Sequence, residues 1–544
     1  MTRTFATAWM QNDGQATQFL PRRVYVPELR AESVRIAQQK PLDPRVLQVL
    51  VRQNAQLPPS PQREKNLQVL AQPGTVIVAT GQQVGLFLGP LYTLYKAASA
   101  VLAAQKLQEE TGVPCVPLFW LQTEDHDFAE IDHCFVPRTG QEPLKIALEF
   151  SEPSRVPVAH RRLGASVLPA LDELERALTG LPHAGEVLDL LRKFYVPEAS
   201  MALAFAQVLA TLFQDEGLIF LDPRDAELAP VIAPLYRQFL VDAQRISQLL
   251  QDRSQQLAQA DFPPQVHIRP GSPLLFASPE AVEGPRYRLD PLEIPETWQL
   301  VGDPKQRTVT TPELLDWLDR EPLRLTSSAL SRPLLQDTLL PTVAYVGGPG
   351  ELGYFAQLQT LYAQFHLPMP LVLHRARFAI LDQRTQQLLE TLHLSLADLA
   401  RPREELLRDL AAHMQHADFE NPAEILAKLS LDAPLEQLAQ QMAKLDPNLQ
   451  KAVKRTQETV QDAVGKLVDK YAKLLAERDR TTVDRLDRAR QWLQPGGGLQ
   501  PGGVPQERVY GMPGLAARFG LQRLVKAVLA EGQPFTGALQ ELVL

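Results

Sequence analysis

Residues 75–90 read TVIVATGQQVGLFLGP, and the fold follows from how that stretch divides. TVIVA is a β-branched apolar run of buried-strand length, and TGQQVGLFLGP carries glycines at 81, 85 and 89. From Leu91 to about Gln108 the apolar residues recur at helical spacing. Strand, loop and helix then return along the chain. VPCVPLFWLQ (113–122) runs into TEDHDFAE, GLIFLD (217–222) into a helix through Tyr236, and TVAYV (342–346) through GGPGELG into a helix ending near Phe365. Buried strands alternating with helices predict a parallel α/β sheet. Ligands of such sheets bind where loops leave the carboxyl ends of the strands. TGQQVGLFLGP, TEDHDF and GGPGELG are therefore expected at one site.

Outward from these units the chain divides into segments. Residues 1–147 are the first part of the core, and 148–214 are a helical insertion containing LDELERALTG, EVLDLLRKFYV and SMALAFAQVLATLFQ. Residues 215–259 continue the core. Residues 260–325 are a second, smaller, proline-rich insertion with a hairpin in LLFASPEAVEGPRYRLD, and 326–381 complete the core. Residues 382–493 are helical, with Asp446-Pro447 expected to cap and restart a long helix. Leu435, Leu438, Met442 and Leu445 form one three-four seam, and Val460, Val464, Leu467, Tyr471 and Leu474 another. The pattern suits an intramolecular αα-hairpin and a dimer equally. Residues 494–544 are a linker, QPGGGLQPGG, and a docking segment ending in the apolar face of LQRLVKAVL.

The net charge of −8 opposes long-range attraction to nucleic acid or anionic membrane, so neither is an expected partner. Two cysteines build no disulfide framework, the N-terminal residues lack the apolar stretch of a signal peptide, and no apolar run approaches the ~20 residues of a spanning helix. A cytoplasmic location is expected.

Three loops carry candidate chemistry. Gly81, Gln82, Gln83, Gly85 and Gly89 precede a helix start near Pro90 whose free N–H groups suit a phosphate or carboxylate, with Lys96 as a point charge; the alternative is a plain tight turn. Glu124, Asp125, His126 and Asp127 end an apolar strand, where such a cluster can hold an amine, bind Mg²⁺ or supply a base, or else cap a helix in water. Tyr345, Gly347, Gly348, Gly350, Glu351 and Tyr354 form a second strand-to-helix glycine loop. Upstream, Thr326, Ser327, Ser328 and Arg332 offer hydroxyls and a guanidinium. Arg286 and Arg288 can act likewise, with solvated surface as the default. Cys115, His126, His133 and Cys134 do not match zinc-ligand spacing, and His413 and His416 read as a solvated face, so no metal site is expected.

TGQQVGLFLGPLYTLYKA (80–97), FWLQTEDHDFAEI (119–131), LSRPLLQDTLLPTVAYVGGPGELGYFAQL (330–358) and PQERVYG (505–511) together resemble the bacillithiol biosynthesis cysteine-adding enzymes, the BshC family, over nearly the whole length. The resemblance implies a Rossmann-like core related to class I aminoacyl-tRNA synthetases, two connective-peptide-like insertions and a C-terminal α-helical coiled coil that forms a homodimer. It implies a ligase that joins the carboxylate of L-cysteine to the amine of glucosaminyl malate. Ser328 stands where the family often carries asparagine, and His374 where a proline usually precedes the arginine that here is Arg375.

Amide formation from a free carboxylate is uphill in water, so ATP with Mg²⁺ is the expected cosubstrate. The catalytic set is then Lys96, Asp125, His126 and Asp127: Lys96 stabilises phosphate charge, and the others orient the cysteine ammonium or deprotonate the sugar amine. Tyr92, Glu124, Ser328, Arg332 and the two glycine loops are expected to line the substrate or nucleotide site. Two competing readings are a non-enzymatic, dimeric nucleotide- or metabolite-binding scaffold and another synthetase-like nucleotidyltransferase. Against the second, no His-x-Gly-His occurs around any of the 10 histidines, and there is no KMSKS.

Overall fold

A computed structural model describes residues 4–138, 140–149, 155–413, 420–446, 449–495 and 504–544. It divides into one unit of Met1–Val136, Leu144–Phe378 and Tyr510–Leu542, and a second of Pro137–Pro143, Ala379–Val509 and Val543–Leu544.

In the first unit, β1 (Val76–Gln82) leads to α1 (Tyr92–Thr111) and β2 (Cys115–Leu121). Three helices follow, α2 (Val167–Leu178), α3 (Ala184–Phe194) and α4 (Met201–Leu212), then β3 (Ile219–Leu221) and α5 (Ala229–Val241). Next come β4 (Leu275–Ala277), β5 (Tyr287–Pro291), β6 (Thr297–Val301), β7 (Thr308–Thr310) and β8 (Leu325–Ser327). The unit's central part closes with α6 (Arg332–Leu339), β9 (Thr342–Gly347), α7 (Pro349–Gln364) and β10 (Leu371–His374).

Strands β10, β9, β1, β2 and β3 form one sheet in that order, parallel throughout. β1 and β2 are buried almost end to end because helices cover both faces, which is why they read as continuous apolar runs rather than alternating ones. Ala97, Ala98, Ala100, Ala103 and Ala104 keep the buried side of α1 small, so the helix axis lies close to the sheet. The helix stops at Gly112, whose left-handed backbone (φ 71°) returns its N–H to the Gln108 carbonyl. The chain steps outward from β1 to β2 and β3, then crosses back to β9 on the other side. The crevice between the carboxyl ends of β1 and β9 is thus the topological switch point, where ligands bind in open α/β sheets.

The second insertion differs from expectation. The foreseen hairpin is β4 with β5, Phe276 opposite Arg288, but it belongs to a five-stranded antiparallel sheet ordered β8, β4, β5, β6, β7. The boundary expected between 325 and 326 cuts through β8. Strands of three residues carry no readable period, which hid β7 and β8 in the sequence.

The second unit is helical: α8 (Arg403–His413), α9 (Asp432–Leu445), α10 (Leu449–Ala476) and α11 (Arg480–Leu493). Ala472, Leu475 and Ala476 of α10 share an apolar core with Leu406, Leu407 and Leu410 of α8 and Leu486 and Leu493 of α11. α9 lies along α10, where the Asp432 carboxylate accepts from Gln457 (2.8 Å) and Gln461 (2.5 Å). The hairpin alternative is therefore present, yet Leu438, Leu445, Leu467 and Leu474 of the two seams stay exposed. Pro447, His416 and residues 496–503 of the glycine linker lie outside the described residues, and Asp446 caps the end of α9.

The docking segment divides. Residues 504–509 belong with the helical unit, whereas α12 (Met512–Phe519) and α13 (Leu521–Glu531) belong with the first unit, burying Leu521, Leu524, Val525 and Val528. Among the described residues no helix is long and apolar enough to cross a membrane.

Candidate active site

At the switch point, α1 carries Lys96 up to the end of β1. Its buried ammonium donates to the Gly81 carbonyl (2.8 Å) and Gln82 Oε1 (3.1 Å), and pairs with Glu351 Oε2 at 2.5 Å. Glu351 sits in the first turn of α7, and its carboxylate turns back to accept the Gly348 N–H (2.7 Å), the Tyr345 hydroxyl (2.6 Å) and the Tyr354 hydroxyl (3.4 Å). Burial drives the Lys96 ammonium below its ordinary value and Glu351 pulls it back; burial alone would raise Glu351, and Lys96 with its other donors holds it below the carboxylate range. The pair stitches the first glycine loop to the second.

Arg332, buried at the start of α6, lies 4.9 Å over the Tyr345 ring and donates to Gln336 (3.0 Å) and Tyr354 (3.4 Å). Arg375 lies 5.4 Å over Tyr92, whose hydroxyl accepts from Gln82 at 3.5 Å. Lys96, Arg332 and Arg375 thus bring three cationic side chains to this cluster beside the Glu351 carboxylate. Cationic side chains at the mouth of a crevice are chemistry for an anion.

The first glycine loop is not the open anion cradle expected of it. Leu86–Leu88 turn in a short 3-10 segment whose Phe87 (φ 51°) and Leu88 (φ 76°) are left-handed and buried. A Cβ on Gly85 would stand 3.1 Å from the Gly89 Cα, so Gly85 is needed for the close approach to Gly89. The expected helix start is also sealed: Leu91 N–H donates to the Tyr510 carbonyl (2.8 Å), Leu86 N–H to Ile131 (2.8 Å), and Pro90 bridges to Gly511. In the second loop a Cβ on Gly347 would come within 3.0 Å of the Glu351 Cβ, so that glycine admits the returning carboxylate, while Gly350 is exposed at the rim.

The end of β2 forms an adjoining cluster. Glu124 is buried and accepts from the Tyr236 hydroxyl (3.2 Å), the Ser327 N–H (3.4 Å) and the Ser327 hydroxyl. Asp125 accepts from Gln83 (2.8 Å), from the His126 N–H (2.7 Å) and from Arg286 (2.9 Å). Arg286 also donates from Nε to His126 Nδ1 at 2.9 Å. Burial pushes the His126 imidazole down, with the Arg286 charge adding to it, to about 4; for Asp125, burial is outweighed by Arg286 and Gln83, and its carboxyl is held low. Asp127 and Glu130 are exposed at the rim, and Gln83 reaches Glu130 at 2.6 Å.

Two expectations are corrected here. Arg286 is buried in the site rather than solvated, although Arg288 does stay at the surface, paired with Asp290 (2.8 Å). Ser328 exchanges hydrogen bonds with Ser331 inside a turn, and Ser327 is the hydroxyl that reaches the acidic cluster. Tyr236 and Arg224 were missed. Arg224 donates to the Leu323 carbonyl (2.5 Å) and to His160 (3.1 Å), while its neighbour Asp222, its carboxyl raised by burial, accepts from Thr123 (2.5 Å). Asp222 and Arg224 follow GLIFL at the carboxyl end of β3, where the strand-end rule applied to that third unit would have found them, whereas Tyr236 lies within α5 and gives no such signal.

Cys115 and Cys134 are buried free thiols, pushed up by burial, Cys134 to about 12. His133 pairs with Asp132 at 2.7 Å, and among the described residues no three His, Cys, Asp or Glu are grouped so as to hold a metal ion.

Residues 1–376 match the family model for the bacillithiol biosynthesis BshC N-terminal Rossmann-like domain, and residues 378–540 match that for the BshC C-terminal coiled-coil domain. The chain belongs to the BshC family. The two domain models meet between the last strand of the parallel sheet and the helical unit, so the polar side chains of the crevice lie within the Rossmann-like match, while Tyr510 and Gly511, which cover Leu91 and Pro90, fall in the coiled-coil match. Relatives named "Putative cysteine ligase BshC" include one from Koribacter versatilis, 31% identical over 98% of this chain and 96% of its own. Others are from Solibacter usitatus, 32% identical over 83% and 82%, and Salinibacter ruber, 30% identical over 87% and 85%. BshC membership places the chain among ligases.

Proposed function

We propose that this BshC protein joins L-cysteine to glucosaminyl malate, forming an amide between the cysteine carboxyl carbon and the sugar nitrogen. One juxtaposition carries the reading: Gln82 and Gln83 link a cation-rich crevice at the β1–β9 switch point to a carboxylate-rich strand end beside it. The first suits the anionic groups of malate or of a phosphate donor, and the second an amino group. ATP with Mg²⁺ is the proposed cosubstrate, supplying the leaving group that the cysteine carboxyl oxygen otherwise lacks. Arg332 and Arg375 are the residues whose charge fits its phosphates. Lys96, already neutralised by Glu351, sets the geometry of both loops.

Asp125 is assigned to the cysteine ammonium. The sugar amine gives up a proton as the C–N bond forms, and Asp127 at the exposed rim is the proposed acceptor. The strand order, with the first strand central and the chain crossing back after the third, supports kinship with the class I synthetase core. The exposed leucines of α9 and α10 support a homodimer through the coiled-coil domain.

The test is mass spectrometry of the purified protein with cysteine, glucosaminyl malate, Mg²⁺ and ATP, following the amide product with AMP and ADP. The expected result is product with one equivalent of AMP or ADP, the nucleotide telling which phosphate is transferred. Turnover of neither substrate under conditions that keep the protein folded would sink the reading.

A further inference from the structure

His126 faces charged groups from three directions. Asp125 stands on its own loop, with Nδ1 3.7 Å from Oδ1; Arg286 enters from the strand that becomes β5; and Arg155 and Arg161 come from the segment that follows β2. The decisive contact is Arg286 Nε to His126 Nδ1 at 2.9 Å. An arginine N–H only donates, so Nδ1 must carry the lone pair, and the single proton of the ring is on Nε2. Arg286 has little freedom to do otherwise. Its other nitrogens are held by Asp125 (2.9 Å), by the Thr326 hydroxyl and by the Ser327 carbonyl (both 3.2 Å), and its guanidinium lies 4.3 Å over the Phe276 ring.

On the opposite edge of the imidazole, Arg155 Nη1 is 3.5 Å from Nε2. With Nδ1 accepting, the Nε2–H and the Arg155 guanidinium are two donors side by side, and among the described residues no acceptor stands between them. An oxygen carrying negative charge satisfies both.

The geometry points to Arg286 as a positioning residue for the ligation: it fixes His126 with its proton on Nε2, so that the ring and Arg155 together present donors to an oxygen of the reacting carboxyl group, and His126 does not serve as the base. This rests on the ligase reading above. It assigns to the inserted antiparallel sheet a part in the chemistry, since Arg286 immediately precedes β5 and the Phe276 ring beneath it lies in β4. As charge builds on the carboxyl oxygen during attack by the amine, a preorganised donor pair stabilises it without reorientation.

The first test needs no turnover. Long-range ¹H–¹⁵N spectra of the full-length protein should show His126 neutral at pH 7, with protonated Nε2 and bare Nδ1; a proton on Nδ1, or on both nitrogens, overturns the assignment. The second compares variants. His126→Gln keeps a side-chain donor and removes the titrating ring, so it should retain activity within about tenfold of the unmodified protein, whereas His126→Ala should lose about 10²–10³-fold in kcat. Equal losses in the two overturn the donor role.

The third test is the pH profile. Compared with the unmodified protein at each pH, Arg286→Ala, whose ring is free to take either tautomer, should lose most kcat/KM at neutral pH and regain part of that loss as pH falls through the ordinary histidine value, because imidazolium again carries a proton on Nε2, and Arg286→Lys should lose less throughout. An Arg286→Ala profile that is lowered but unchanged in shape would make Arg286 merely structural. If the unmodified protein forms no amide from cysteine and glucosaminyl malate, the ligase reading fails while the spectra still decide the tautomer.

Discussion

Lys96 and Glu351 show what one buried pair does. Lys96 is buried and Glu351 largely so, so each depends on the other, and removing one leaves a poorly compensated charge. Lys96→Met is expected to cost about 3–5 kcal/mol in urea unfolding, with the double change Lys96→Met/Glu351→Gln recovering at least half. Equal losses in the single and double variants would show that the ammonium is not Glu351's main partner. His126 makes a second prediction. Its folded value, about 4, lies below the unfolded ~6.5, so between those pH values the unfolded chain takes a proton that the folded one declines. The contribution is therefore fully present above about pH 6.5 and is lost as pH falls through about 4. Unfolding midpoints measured from pH 7 to 4.5 should drop, and His126→Gln should flatten that slope. At this scale the sequence was readable where a residue type admits one chemistry: Lys96, Asp125 and Glu351 were all singled out and all stand beside strand ends, Lys96 paired with Glu351 and Asp125 in the adjoining cluster. Arg286 was named as a ligand candidate but left at the surface by default, because an arginine in a turn looks the same solvated or buried until the strand beside it is placed.

Elements with a long period were legible and short ones were not. The four core strands and the helices that follow them stand where their apolar runs put them. The antiparallel sheet shrank in the reading to one hairpin, since three-residue strands are recognised by their partners rather than by their own pattern. The glycine loop misled for a different reason. Glycines at 81, 85 and 89 do mark a tight backbone, but what Gly85 approaches is Gly89, and the helix start that seemed open is covered by Tyr510 and Gly511. Gly511 tests this directly: a Cβ there would overlap the Cys134 sulfur. Gly511→Ala should destabilise the first unit by about 1–3 kcal/mol and speed amide exchange at Leu91, and Cys134→Ala in the same chain should restore much of both. Unchanged exchange at Leu91 would show that the covering segment does not guard that amide.

For the whole molecule, the two domain models divide the chain almost where the compact units do, at 376–378 against Phe378, and the return of residues 510–542 to the first unit is the feature that no linear reading of domains supplies. The helical unit exposes Leu445 (84%), Leu467 (64%) and Leu474 (60%), more apolar surface on two adjoining helices than scattered leucines explain. Sedimentation velocity should give twice 60.7 kDa for the unmodified protein, and Leu467→Glu/Leu474→Glu should give 60.7 kDa with the unfolding midpoint kept. A dimer that survives both glutamates would place the interface elsewhere.

The seal on Leu91 also sets a clock. During synthesis, the loop that begins the crevice emerges early, but the carbonyl that completes it belongs to Tyr510. At about 5–20 residues per second the ribosome reaches that residue roughly tens of seconds later. Throughout that interval the nascent Rossmann-like domain carries an unfinished, apolar edge around Phe87 and Leu88. A prematurely stopped chain keeps that edge for good, which makes its own incompleteness visible to chaperones and proteases.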